Sequence, residues 1–303
     1  MTRHEPPRLR LVGSAPPSGG PGPSAPDDGA AWPYPADGQF SFTSWFEASR
    51  RLCGNDALLP QRGRRAAVVA PGACFHIAQA YSALREDLGW GPTDTYHPSE
   101  HRLDRGYDHV VVLDPPTGSP DLLPTLDEIR WSGVRHLTLT SSSRSRIARD
   151  AAASVVLPRM AADDVRFGLT ALAALRASLG DEPRRYLPDA EPLWKSAVDI
   201  ADRIAHARRV TVLARGWALG LAHALTAVLR DDLEIDAEAQ PAREYHQRMH
   251  RTRRPPGLVW VLGDVADELI DSMRQSGAPV AHHPLDPAVQ LAIVHTIAGA
   301  TKH

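Results

Sequence analysis

Short apolar runs alternating with helix-length stretches constrain this chain more than any other feature. Ala66–Ala70 (AAVVA), His109–Leu113 (HVVVL), Leu137–Thr140 and Ser154–Leu157 (SVVL) are such runs, with helical stretches between and after them near 74–88, 120–132, 145–151 and 164–179. Strands that are apolar throughout have to be buried on both faces, and helical crossovers provide the cover, so the pattern predicts a parallel sheet between helical layers. A Pro- and charge-rich linker follows at 180–192, and then the plan restarts. Its second round predicts a helix near 193–206, a strand at Val210–Ala214, a helix at about 219–230, a strand around 234–239 and a turn or helix start around 242–250. A strand at Leu258–Leu262, a helix at 265–275, a strand at Pro279–Ala281 and a helix at 286–299 complete it. Two rounds at a spacing of about 140 residues indicate an internal duplication into two domains rather than a solenoid. The expected fold class is α/β: two α/β/α sandwich domains with parallel sheets in tandem, at 39–185 and 186–303, behind a tail at 1–38.

The tail follows from composition. Residues 13–29 (GSAPPSGGPGPSAPDDG) are Pro, Gly and Ser with hardly any apolar content, so burial cannot offset the entropy of ordering them. A docking peptide is the functional alternative. Trp32, Tyr34, Phe40, Phe42, Trp45 and Phe46 then suggest a segment that packs onto the body. The net charge of −2 gives no bulk attraction to nucleic acid or anionic lipid, so neither is expected as a partner. No run approaches the roughly 18 apolar residues of a membrane span, and no signal-peptide core is evident, so a cytoplasmic protein is expected. Cys53 and Cys74 are the only cysteines and lack any paired spacing, which argues against a disulfide framework or a cysteine zinc site. His246 and His250 have helical i,i+4 spacing near Glu244, and His282 and His283 are adjacent. Fourteen histidines produce such pairs by chance, so no metal and no cofactor is expected.

Ligands of open parallel sheets bind beyond the carboxyl ends of the strands, near helix N-termini. Pro71–Cys74, Asp114–Asp121, Arg215–Leu219 and residues 242–250 are predicted there, and none carries a dinucleotide fingerprint or a Walker A loop. Candidate ligand-binding residues are Gly72, Ala73, Cys74, Thr117, Ser119, Arg215 and Gly216. Arg215 could clamp a phosphate or carboxylate, or serve a structural salt bridge. Cys74, at a helix start, could be an activated thiol or simple packing, and packing is the favoured reading.

Several segments in order carry a resemblance. VAPGACFHIA, YHPSEH (Tyr96–His101), VVLDPPTGSPDLLPTL, SRSRIARDAAASVVLP and Met160–Thr170 in the first half, and VLARGWALGLAHALTAVLRDDLEIDAEAQPAREYHQ in the second, resemble the double sugar isomerase (SIS) domain family over about residues 65–300. The chain is similar there to the isomerase half of glucosamine-6-phosphate synthase. The resemblance implies a small-molecule sugar or sugar-phosphate ligand and a homodimer or homotetramer with sites shared between subunits. It also implies that Tyr96–His101 occupies a strand. The amidotransferase half has no counterpart, so glutamine-dependent transfer is not expected of this chain.

Departures from the family carry the functional expectation. The two serines of its phosphate loop map to Asp114 and Pro116, its glycine to Thr117 and its threonine to Ser119. An ionised Asp repels phosphate and Pro116 lacks a backbone donor. Thr117-Gly118-Ser119 could rebuild a small anion nest, or form a plain loop in which Ser119 caps the following helix; the second is favoured. The catalytic glutamate maps to Asp231, a lysine three residues earlier to Val228, and the histidine of the Glu-Phe-x-His turn to Gln247, beside His246 and His250. Glu244 matches the turn's glutamate. Lysine is scarce throughout: of 34 basic residues only Lys195 and Lys302 are lysines, and Lys302 is no obvious replacement for the lysine of the synthase tail. Asp231, Glu244, His246 and Gln247 are therefore the candidate catalytic residues. Three readings stay open: an isomerase-type enzyme with an altered site, a non-catalytic sugar-sensing or regulatory protein, and an enzyme acting on a non-phosphorylated or cationic substrate.

Overall fold

The computed structural model describes residues 42–55, 58–158, 163–249 and 257–301. The tail at 1–38, His250 and Lys302 lie outside them, as do Trp32, Tyr34 and Phe40. Ten helices and nine strands are described, and every strand pairing is parallel. In the first half these are α1 (Thr43–Cys53), β1 (Ala66–Val69), α2 (Gly72–Asp87), β2 (Thr93–Tyr96), β3 (His109–Asp114), α3 (Leu122–Ser132), β4 (Arg135–Thr140), α4 (Arg146–Asp150), β5 (Ser154–Val156) and α5 (Asp164–Ser178). The second half has α6 (Ala190–His206), β6 (Arg209–Ala214), α7 (Ala218–Asp231), β7 (Asp236–Pro241), α8 (Ala242–Met249), β8 (Leu258–Leu262), α9 (Asp267–Gln275), β9 (Val280–His282) and α10 (Pro287–Thr301). The first sheet has the order β2-β1-β3-β4-β5, the second β7-β6-β8-β9.

Two expected positions shift. The strand beside β1 is Thr93–Tyr96, and Pro98–Glu100 is a single 3-10 turn, so YHPSEH mostly follows the strand. The aromatic segment ahead of residue 50 continues into a full helix, α1, whose Trp45, Ala48 and Leu52 are buried mainly against α5.

Strand alternation explains the layering. On β1 and β3, Ala67, Val69, Val110 and Val112 face a cluster made with Leu122, Leu126 and Ile129 of α3 and Ile147 of α4. Val68, Ala70, Val111 and Leu113 face the opposite way, onto α2 and α5. The inner face of the second sheet (Val210, Val212, Ala214, Trp260, Leu262) belongs to that same cluster, through α6, α7 and α10. Its outer face packs Leu213, Val259 and Val261 against Ile270 and Met273 of α9. Two parallel sheets thus share one central layer of helices and one continuous core.

Close helix contacts in that layer set the direction of each sheet. A side chain at Gly220 of α7 would stand 2.6 Å from the backbone of His76 and Ala80 of α2, and Gly216 lies against Asp87 at the other end of α2. The His76 and His223 rings stack at 5.5 Å. The pair α2 and α7 is therefore antiparallel. Each helix runs back along the strand before it, so β1 and β6 point in opposite senses and the carboxyl edges of the two sheets face opposite ends of the molecule.

Candidate functional site

Each sheet has a crevice where successive connections leave in opposite directions, between β1 and β3 in the first sheet and between β6 and β8 in the second. The structure divides the candidate residues between them. Gly72, Ala73 and Cys74 open α2 after β1, and Thr117 and Ser119 lie in the loop after β3. Arg215 and Gly216 follow β6. Glu244 and Gln247 lie on α8, directly after β7; the helix also carries His246, whose side chain is not among those described. Asp231 ends α7, which runs antiparallel to α2. It therefore lies toward the end of the molecule where α2 begins, away from Glu244 and Gln247. Asp231 is exposed, and Glu244 is exposed in an i,i+4 pair with Arg248 at 3.4 Å.

In the first crevice the candidate groups are engaged with the protein itself. Asp114 ends β3 with 4% of its surface exposed, and its Oδ2 accepts hydrogen bonds from Thr140 Oγ1 at 2.7 Å and Ser145 Oγ at 2.8 Å. Ser145 caps α4 by accepting from the Ala148 N–H, so this carboxylate joins β3, β4 and the start of α4. Thr117 donates its backbone N–H to Asp164 Oδ1 at 3.2 Å and its hydroxyl to Asp164 Oδ2. A carboxylate of the protein thus occupies the donors that an anion in this loop would use. Ser119 does not cap the next helix: α3 starts at Leu122, with Asp121 at the cap position and no side-chain cap bond.

Cys74 is packing. Its side chain is fully buried, its Sγ would lie 3.4 Å from a side chain at Gly168, and it donates to the Asp164 carbonyl at 3.3 Å. Burial pushes the thiol pKa far up, and the charges of Asp164 and Asp163 add to this, so no thiolate is held there. Next to it, Asp163 caps α5 by accepting from the Arg166 N–H at 2.9 Å and meets Nε2 of His295 on α10 at 2.8 Å. Burial opposes its charge, but His295 and the Arg166 N–H outweigh that and hold its carboxyl below the usual range.

The second crevice is open. A cleft of about 560 Å³ is lined by Arg215, Gly216 and Trp217 after β6, Gly263 and Asp264 after β8, His282 and His283 at the end of β9, and Asp87 from α2. Arg215 and Asp264 are exposed, and among the described residues Arg215 forms no ion pair, so the salt-bridge reading of Arg215 is not what the structure shows. Gly216 has φ +55° and its missing Cβ leaves Asp87 Oδ2 close to the backbone. Beneath Trp217 lies Arg176 of α5, 4.7 Å from the Trp217 ring and 3.7 Å from the Tyr186 ring. Arg176 is buried and bonds Asp286 at 2.9 Å and Asp181 at 2.6 Å. Asp286 immediately precedes α10, so a buried ion pair between the two halves supports the floor of the crevice in the second.

Asp87, Asp164, Arg176, Asp264 and Asp286 were not singled out by the sequence. The Asp163-Asp164 pair ahead of an apolar helix was a visible capping signal, but its link to Thr117, 47 residues away, was not.

No family model and no curated protein sequence matches the chain. Solved structures do. The glucosamine-6-phosphate deaminase from Thermotoga maritima is 14% identical with a TM-score of 0.62, over 86% of this chain and 91% of that one. The C-terminal domain of glucosamine-fructose-6-phosphate aminotransferase from Francisella tularensis is 14% identical with a TM-score of 0.62, over 86% and 92%. The tagatose-6-phosphate ketose/aldose isomerase from Escherichia coli is 11% identical with a TM-score of 0.61, over 86% and 90%. At these identities the likeness establishes the fold: this chain has the α/β architecture shared by these phosphosugar proteins. No helix among the described residues is long and apolar enough to cross a membrane.

Proposed function

We propose that this chain is a carbohydrate-derivative-binding protein of the SIS fold, built from one unit at 39–185 and a second at 186–303, and that its role is sensing or regulation rather than ordinary aldose–ketose isomerisation. The observation that carries this reading is the loop after β3, whose Thr117 donors are held by Asp164 while Asp114 is buried against Thr140 and Ser145. A phosphate entering there would have to displace one carboxylate and lie near another. Isomerisation also needs a base and a ring-opening group at one sugar. Within one chain, Asp231 and the Glu244–Gln247 helix lie toward opposite ends. Only a second copy could bring these groups together, which supports a homo-oligomer for any catalytic version of the protein.

A thermal-shift series with phosphorylated and free hexoses tests the reading. A ligand present at a hundred times its Kd stabilises by about 2.7 kcal/mol, a readily measured rise in Tm. Stabilisation without ketose–aldose conversion, unchanged in Asp231→Asn, is the expected result. The isomerase reading rests on the carboxylate of Asp231 lying toward the start of α2. Turnover that Asp231→Asn abolishes would establish it in place of the sensing role.

A further inference from the structure

We infer that the cleft at the carboxyl edge of the second sheet is the ligand seat, and that it takes a polyhydroxylated anion, a monosaccharide carrying a phosphate or carboxylate. The inference rests on the carbohydrate-binding reading above and assigns it a place and a chemistry. The cleft gathers groups of two kinds. Arg215 brings a guanidinium with no carboxylate partner among the described residues, directly before α7. In the first turn of this 14-residue helix the Leu219 N–H donates to the Gly216 carbonyl, and the remaining N–H groups have no helical carbonyl in reach. Together they suit an oxyanion with fork geometry.

The cleft also carries acceptors, one of which, Asp87, lies against Gly216 itself. The carboxylates of Asp264 and Asp87 line the same cleft from β8 and from α2, and both are exposed. Carboxylates accept from vicinal hydroxyls or an amine, whereas they would repel a second anion. His283 forms part of the wall with 6% exposure, and its Nε2 has no partner among the described residues. A guanidinium and carboxylates lining one cleft define a ligand with an anionic group and a hydroxylated or aminated body. A volume of about 560 Å³ is ample for a single sugar ring with its charged group. Trp217 is held from below by the Arg176–Asp286 pair, so the floor of the cleft is formed before any ligand arrives.

Isothermal titration of the full chain with glucose 6-phosphate, glucosamine 6-phosphate, glucuronate and glucose tests this. The inference expects at least one anionic sugar to bind, with phosphate against carboxylate preference read from the first and third probes. Arg215→Ala should weaken that binding at least tenfold, with Arg215→Lys recovering part of it. Asp264→Asn should weaken it less, and glucose should bind weakest. Arg215 is exposed and has no ion pair among the described residues, so a thermal melt unchanged from wild type shows that its variants fold. Binding that survives Arg215→Ala but is lost in Thr117→Val overturns this placement and leaves the carbohydrate-binding reading standing. If none of the four sugars binds, both fall.

Discussion

The two crevices occupy equivalent places in two similar sheets, yet one is closed by the protein's own chemistry and the other is open. At the first, Asp164 takes both donors of Thr117, and Asp114 is drawn into the sheet by two hydroxyls. At the second, Arg215 and Asp264 stand exposed around a cleft whose floor is braced by Arg176 and Asp286. The fold supplies a crevice at each reversal of strand order, but side chains decide whether it serves a ligand or the architecture. Here the Asp114 carboxylate serves as a structural joint between β3, β4 and α4.

The largest expected effect comes from removing the brace of the open crevice. Arg176→Ala leaves Asp286 buried without a counter-charge and should cost about 3–5 kcal/mol in urea unfolding. A double variant with Asp286→Ala should recover much of that loss, because the uncompensated charge is then gone. If the single variant costs less than about 1 kcal/mol, the second crevice does not depend on the first half as described.

Acid should expose a difference at the amino edges of the sheets. His109 starts β3 and is buried, and burial, with the charges of His136, Arg135 and Arg85 adding to it, lowers its pKa to about 4. Between that value and the usual pKa of about 6.5 the unfolded chain binds a proton that the native chain does not. Stability should therefore fall as pH drops through this window, by about 2–3 kcal/mol from His109. Burial lowers His136 in the same direction. Denaturant midpoints measured from pH 7 to pH 4 should show a shallower slope in His109→Leu, and an unchanged slope would remove His109 from the account.

Gly220→Ala probes the joint that sets the two sheets in opposite senses. Its Cβ would meet the backbone of α2 at 2.6 Å, and because backbone cannot swing aside, a cost of about 2 kcal/mol is expected. Gly299→Ala, where nothing lies within 4 Å, should be neutral or slightly stabilising in the same assay.

The smallest effect on stability is expected at the closed crevice. Asp164→Ala removes a half-exposed acceptor and should change stability by less than about 1 kcal/mol. It frees the Thr117 N–H and hydroxyl, however, so weak stabilisation by inorganic phosphate, absent from wild type at that loop, should show in its thermal melts. No such gain would mean that Asp164 is not what closes the site.

Legibility in the sequence followed burial. The runs AAVVA, HVVVL and LVWVL are strands buried on both faces, and each appears in the structure within a residue or two of its expected bounds. Thr93–Tyr96 carries no apolar run, as befits an edge strand with one buried residue, so only the resemblance points to a strand nearby, and it sets it too late, at Tyr96–His101. α1 was passed over because a cluster of aromatics says that a segment packs, not that it is helical. The groups at the sites were half legible. Loops after strands could be named, which placed Arg215, Gly216 and Thr117 at crevices. What each loop touches could not, since Thr117 meets Asp164 across 47 residues and Arg176 meets Asp286 across 110. The opposite senses of the two sheets depend on Gly220 fitting against α2, a contact that no periodicity announces.

Backbone hydrogen exchange with and without glucosamine 6-phosphate tests the central contrast most directly. Protection confined to peptides covering 214–219 and 262–265, with 70–75 and 114–121 unchanged, is the predicted result. Protection that appears at 70–75 and 114–121 instead would place the ligand in the crevice that Asp164 is said to close, and would contradict the account.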